Sequence, residues 1–266
     1  MKGSTIYVEC AHSDFLWALG TVLANIHLPP FNCFQTKDNR MNGSSLHTIL
    51  QRFPLLTALS EAELQRMAFM AERRTASKHS LIYLADEPSE YLCFLIEGAV
   101  KIGIYSPDGR EIIKNIQHPY TIFGELGLAG EVHRSEFASS MGRDVDYLAV
   151  KVEDFRYLMQ QNFRLAQAVM LSLGDRLRRA ERHWESLILK DVRTRIVEFL
   201  KESAGEHGRQ VGYETLVKHG LTQQDIANLV GASRQTVTAI LNELKKSNLI
   251  HFNRNTILIR DMDKLN

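Results

Sequence analysis

Three side chains at the start of one helix-forming segment, Arg234, Gln235 and Thr238, carry the chemistry needed to read base edges. A guanidinium suits guanine, a glutamine amide suits adenine, and a threonine methyl suits the thymine methyl. A helix seated in the DNA major groove presents its N-terminal residues to those edges. Thr222, Gln223 and Ser233, at the two helix starts, together with Lys245 and Arg254, complete the candidate DNA-binding set. From Ser233 to Arg260 five basic residues (Arg234, Lys245, Lys246, Arg254 and Arg260) stand against one acid, Glu243. The local field is therefore positive, as phosphate contact requires. The chain as a whole has a net charge of only +1, so this reading rests on placement and not on bulk charge. The bland alternative is a helical hairpin in an ordinary core with a solvated polar face. A turn glycine, a cap, a small residue and the exposed Arg-Gln-Thr set all in register favour DNA.

A second constellation runs Phe123-Gly124-Glu125-Leu126-Gly127-Leu128-Ala129-Gly130, followed by Arg134-Ser135. Glycines let backbone N–H groups close on an anion. Arg134 can pair with a phosphate and Ser135 can donate to it. Glu125 can accept from a ribose hydroxyl. Two readings stay open: a live ligand pocket, or a structural remnant in which Glu125 and Arg134 merely pair with each other. No nucleophile–base set is visible, so an enzyme is not expected. Three widely spaced cysteines and the lack of any Cys/His cluster give no support to a metal centre and fit a reducing cytoplasm. The ten histidines fall in no identifying motif, which leaves a haem or redox sensor as a lesser alternative.

The elements that must position these residues are legible. In LTQQDIANLVGASRQTVTAILNEL, Thr222 caps a first helix with Asp225 three residues on. Gly231 makes the turn and Ser233 caps a second helix. Ile226, Leu229, Val230, Val237, Ile240, Leu241 and Leu244 supply the buried faces. Leu249–Phe252 and Thr256–Ile259, around the tip Asn253-Arg254-Asn255, predict a hairpin wing. Upstream, Phe163–Lys190 is one long helical run. Its apolar residues Ala166, Val169, Leu173, Leu177, Ala180, Trp184 and Leu187 recur at steps of three and four, a narrow seam that predicts a homodimer. Between residues 78 and 150 short β-rich runs alternate with turns, among them Ser106-Pro107-Asp108-Gly109, and predict an antiparallel roll. Residues 1–43 show no period and are expected to be an unstructured extension, with Met41 a possible true start. No span is apolar over a membrane-crossing length, so no membrane is expected.

From about Ser44 to Arg260 the chain resembles the CRP/FNR superfamily of bacterial transcription regulators. The resemblance rests on LIEGAVKIG, SPDGRE, IFGELGL, Arg134-Ser135, the long helix and LTQQDIANLVGASRQTV. It implies an α+β fold in which a cyclic-nucleotide-binding-like β-roll is joined by a dimerisation helix to a winged helix-turn-helix. The expected domains are 44–162, 163–190 and 191–266. The resemblance further implies Glu125 on a ribose hydroxyl, Arg134-Ser135 on a cyclic phosphate, and Gly124 and Leu126 in the same cassette. Ala180 and Glu181 fall in the register that faces the base. The implied partners are a palindromic double-stranded operator and RNA polymerase, with activation as the outcome.

Departures bear on specificity. His118-Pro119-Tyr120 replaces the Gly-Asp turn, and Glu181 replaces a hydroxyl, so cyclic GMP or another non-adenine ligand ranks no lower than cyclic AMP. Gln235 replaces the usual Glu, and Ala239 the second Arg, so the operator is expected to differ from that of the cyclic-AMP receptor.

Overall fold

The computed structural model describes residues 43–253 and 256–265. The expectations for residues 1–42 and for Arg254 lie outside the described residues.

Two short helices open the described chain. Helix α1 (Gly43–Leu50) leads into a 3-10 turn over Pro54–Ala58. Helix α2 (Glu61–Met70) starts at Ser60, whose hydroxyl accepts from the Glu63 N–H while the Glu63 carboxylate accepts from the Ser60 N–H. The roll follows as two four-stranded antiparallel sheets. One has the order β1-β8-β3-β6 (Glu72–Ala76, Val145–Lys151, Tyr91–Glu97, Ile122–Phe123). The other has the order β2-β7-β4-β5 (Leu81–Tyr83, Phe137–Ser140, Val100–Tyr105, Glu111–Gln117).

Alternation decides where each strand residue packs. On β3, Cys93 and Leu95 point between the sheets, while Leu92 and Phe94 point to the helical layer; on β8, Tyr147 and Ala149 do the first and Leu148 and Val150 the second. Both strands are thus buried on both faces. The helical layer is α1, α2, α3 (Val152–Gln161) and the first half of α4 (Phe163–Leu189). Helix α4 runs for 27 residues and is capped by Asn162, whose side chain accepts from the Leu165 N–H.

Beyond α4 lie α5 (Val192–His207), the hairpin β9–β10 (Gly208–Val211, Glu214–Val217), α6 (Gln223–Val230), α7 (Arg234–Lys246) and the wing β11–β12 (Ile250–Phe252, Ile257–Ile259). Their four strands form one antiparallel sheet in the order β11-β12-β10-β9. Ile196, Leu200, Ile226, Val237, Leu241, Leu244 and Ile259 build the core, and Met141, Ala99 and Ile116 of the roll pack against it. The Lys101 ammonium lies 3.7 Å from the Asp225 carboxylate, and the Asn228 amide donates to Glu111 at 3.2 Å. Helix α6 is therefore seated on the β4–β5 hairpin of its own chain.

The sequence reading finds the wing, the long helix and both reader helices. It misses β1, β6, β7, α5 and β9–β10. Strand β1 is Glu-Arg-Arg-Thr-Ala, held by pairing with β8 and by the Arg73–Asp146 ion pair, and it shows no apolar alternation. Strand β6 is two residues long.

Candidate nucleic-acid interface and effector pocket

The reader is built by local rules. Thr222 and Asp225 form a reciprocal cap: the Thr222 N–H donates to Asp225 Oδ2 at 2.8 Å, and the Asp225 N–H donates to Thr222 Oγ1 at 3.1 Å. Gly231 ends α6 at φ 67°, in the left-handed region that disfavours any Cβ. A Cβ there would also lie 2.8 Å from Leu187 Cδ2, so the end of α4 touches the turn. Ser233 caps α7 by accepting from the Thr236 N–H at 3.1 Å. The hydroxyls of Thr222 and Ser233 are thus engaged in capping.

The outward face of α7 carries Arg234, Gln235 and Thr238 on one open surface. The Thr238 hydroxyl is within hydrogen-bond reach of Gln223 Oε1 (2.6 Å) and of the Arg234 carbonyl (2.8 Å). That commits the hydroxyl inward and leaves the methyl for a base. It also fixes the Gln223 amide by its oxygen, so its N–H donors remain. Lys245 lies over the Phe252 ring at 5.4 Å, between α7 and the wing. Arg195, absent from the sequence reading, braces the turn by donating to the carbonyls of Val230 (2.9 Å), Lys190 (2.7 Å) and Gly231 (3.3 Å).

The cassette in the roll lacks the pair that the structural-remnant reading expects. Glu125 does not pair with Arg134. Its Oε1 accepts from Arg176 of α4 at 2.6 Å, and Arg176 also bonds both oxygens of Glu136 at 2.8 Å. Lys114 of β5 stands 3.5 Å from Glu136. Burial opposes the Arg176 charge, but the Glu125 and Glu136 carboxylates more than offset it and hold its pKa above the usual arginine range. Arg134 instead turns into the roll. Its guanidinium donates to the carbonyls of Gly124 (3.0 Å) and Tyr91, and stacks 4.3 Å from the Tyr83 ring. A Cβ at Gly124, where φ is 76°, would lie 2.6 Å from Arg134 Nη1, which explains the glycine.

Ser135 is also engaged: its N–H (2.9 Å) and hydroxyl (2.6 Å) both donate to Glu131 Oε1. A carboxylate therefore sits on Ser135, one of the two residues that the resemblance assigns to a phosphate, while the other, Arg134, is bound to backbone carbonyls. Glu125 Oε2, Arg134 Nε, Tyr83 Oη and Ser139 Oγ are buried without a hydrogen-bond partner. Such groups cost free energy unless something meets them. Leu126 is half-buried in the 3-10 turn of the cassette. Ala180 and Glu181 are exposed on α4, and no hydrogen bond or ion pair joins Glu181 to the cassette.

On α4 the seam residues divide between two faces. Val169 is buried at 2% exposure in its own domain beside Leu165, and Leu173 is partly packed there. Val169 is thus spent within the protomer, contrary to its place in the expected seam. Leu177, Trp184 and Leu187 are exposed, together with Phe163 and Met170, which the sequence reading left out.

A reader helix in this frame, behind a roll with this cassette, is matched on both sides by known families. Residues 194–266 match the Crp-like helix-turn-helix domain, and residues 73–162 match the cyclic nucleotide-binding domain. The CRP-like cAMP-activated global transcriptional regulator of Mycobacterium tuberculosis is 33% identical over 184 residues, covering 69% of this chain and 82% of that protein. The chain belongs to the CRP/FNR family of transcription regulators. Within this family it is also 29% identical to the cAMP-activated regulator Vfr of Pseudomonas aeruginosa, over 73% of this chain and 91% of that one. The fold is shared with FixK2 of Bradyrhizobium japonicum, with a TM-score of 0.66 at 24% identity over 73% of this chain and 95% of that one. It is shared equally with the c-di-GMP-responsive regulator CLP of Xanthomonas campestris, with a TM-score of 0.66 at 22% identity over 76% and 100%. The CRP/FNR chain described here is thus a DNA-binding transcription regulator with an effector-type roll. No helix among its described residues is long and apolar enough to cross a membrane.

Proposed function

We propose that the protein is a homodimer that binds a two-fold symmetric operator, acts with RNA polymerase, and works in the cytoplasm. The observation that carries the dimer, and with it the two-fold operator, is the stripe on α4. Phe163, Met170, Leu177 and Trp184 are spaced seven apart and each is more than half exposed. Ala166, Leu173, Ala180 and Leu187 form a second row at the same spacing. Two rows at heptad spacing are the seam of a two-helix coiled coil. A second copy is the simplest occupant of such a seam, and it supplies the second reader that a palindromic site needs. Light scattering of the wild type and of Leu177→Asp tests this. The wild type should be a dimer and the variant a monomer, and a monomeric wild type bound to a single half-site would contradict it.

For the roll, the reading is a pocket for a small ligand bearing a ribose-like hydroxyl and an anion. Glu125 Oε2 offers a buried acceptor with no partner, and the Glu131 carboxylate held by both Ser135 donors supports an anion at that position. Such a ligand would displace Glu131 from Ser135 and draw Arg134 away from the Gly124 and Tyr91 carbonyls. A second reading, ligand-independent DNA binding, is favoured by Arg134, whose guanidinium is already committed to those carbonyls. Calorimetry with cyclic AMP, cyclic GMP and cyclic dinucleotides, paired with DNA-binding titrations, separates the two. Heat that is lost in Arg134→Leu supports the pocket. No heat at millimolar ligand with full DNA binding supports the second reading.

A further inference from the structure

Helix α7 presents one more group to the groove than the three sequence-chosen readers. Arg234, Gln235, Thr238, Ala239 and Asn242 line a single open surface. Steps of three and four put them on one stripe of the helix. Asn242 is exposed, and no hydrogen bond joins its amide to any described residue. Two polar neighbours off the stripe are engaged within the protein: Glu243 lies 3.5 Å from Arg193, and Lys245 lies over the Phe252 ring. Along the stripe, by contrast, the order of chemistry is guanidinium, amide, two methyl groups and a second amide. The methyls are those of Thr238, whose hydroxyl is turned inward, and of Ala239.

We propose that Asn242 is a specificity-determining residue that pairs with an adenine edge. An asparagine amide meets adenine N6 and N7 with one donor and one acceptor, and the methyls of Thr238 and Ala239 suit the C5-methyl groups of thymine. Asn242 stands eight positions after Arg234, about 12 Å along the helix at 1.5 Å per residue. A helix laid along the major groove meets successive bases with residues three to four positions apart, so eight positions correspond to roughly two to three base pairs. The half-site is therefore guanine against Arg234, then thymine methyls, then adenine against Asn242 about two to three base pairs from the guanine. This inference rests on the DNA-binding reading of the α7 face.

The test is selected-site sequencing with the full chain, wild type and Asn242→Ala, at one fixed salt concentration, followed by titration of the best site. The wild-type motif should hold an adenine at that distance from the guanine. Asn242→Ala should lose preference at that position alone, and its affinity for the wild-type site should fall about 5- to 150-fold. Because Asn242 is exposed and makes no internal bond, circular dichroism of the variant should match the wild type. An Asn242→Ala motif identical to the wild type at every position overturns the inference. That holds if affinity falls evenly on all sequences, as for a phosphate contact, or does not fall at all. A wild-type chain that selects no motif would instead overturn the DNA-binding reading beneath it.

Discussion

Removing Arg176 should unbalance the interior of the roll more than any other single charge change. Its guanidinium is bound to Glu125 at 2.6 Å and to both oxygens of Glu136 at 2.8 Å. Those two acids are only 4% and 2% exposed. Arg176→Ala leaves both carboxylates buried, and among the described residues the remaining ion pair to either is Lys114 at 3.5 Å from Glu136. Breaking a buried pair from one side costs about 3–5 kcal/mol, because the stranded charge keeps its desolvation penalty. Lys114, already 3.5 Å from Glu136, compensates partly, which places the expected loss near the lower end, about 3 kcal/mol. In a chain of this size that is a fall in melting temperature of roughly 6–12 °C. Adding Glu125→Gln and Glu136→Gln to Arg176→Ala removes the stranded charges and should recover most of the loss. Calorimetric melts of the wild type, the single variant and the triple variant decide it. A single variant as stable as the wild type, or a triple variant no more stable than the single, refutes the assignment of Arg176 as the counter-ion of both acids.

Leu177→Asp should place a carboxylate in the α4 seam at a cost of several kcal/mol, read as a monomer by light scattering. Thr222→Ala removes the reciprocal cap of α6 and should cost about 0.5–2 kcal/mol of stability in a denaturant titration, with no change in the selected motif. Cys93 is fully buried in the roll, and burial pushes its thiol up to about 12; mass spectrometry should find its peptide unmodified by iodoacetamide at pH 8 until the chain is unfolded. Lys245→Ala should weaken all DNA sequences alike and flatten the salt dependence by about one unit if its ammonium meets phosphate.

How much was legible in the sequence follows the range of the interactions. The reader helices are set by contacts within a few residues, Thr222 with Asp225, Ser233 with Thr236, and Gly231 at its turn, so their types and order suffice. The wing and the long helix are likewise local patterns. The cassette was legible as a motif but not as a geometry. Arg134 and Glu125 look like partners from their types, yet Arg134 finds two backbone carbonyls and Glu125 finds Arg176, 51 positions away. Arg176 stands among other charges of α4 (Arg178, Arg179, Glu181 and Arg182) with no local sign of its role, because its partners come from other elements. Val169 shows the same limit: steps of three and four do not say which face meets the protomer's own core and which meets another helix. Strands β1 and β7 lack an apolar alternation, since β1 is held by an ion pair and β7 carries Ser139 and Ser140 at buried positions.

On the proposed reading the α7 face reads sequence and two copies read together. Selected-site sequencing with the wild type and Arg234→Ala tests it most directly. The wild type should select a two-fold symmetric site with half-sites roughly 34 Å apart, and Arg234→Ala should lose preference at one base pair per half-site while losing about 1–3 kcal/mol for each reader. A motif without symmetry, or one that is the same for both proteins, would contradict the account.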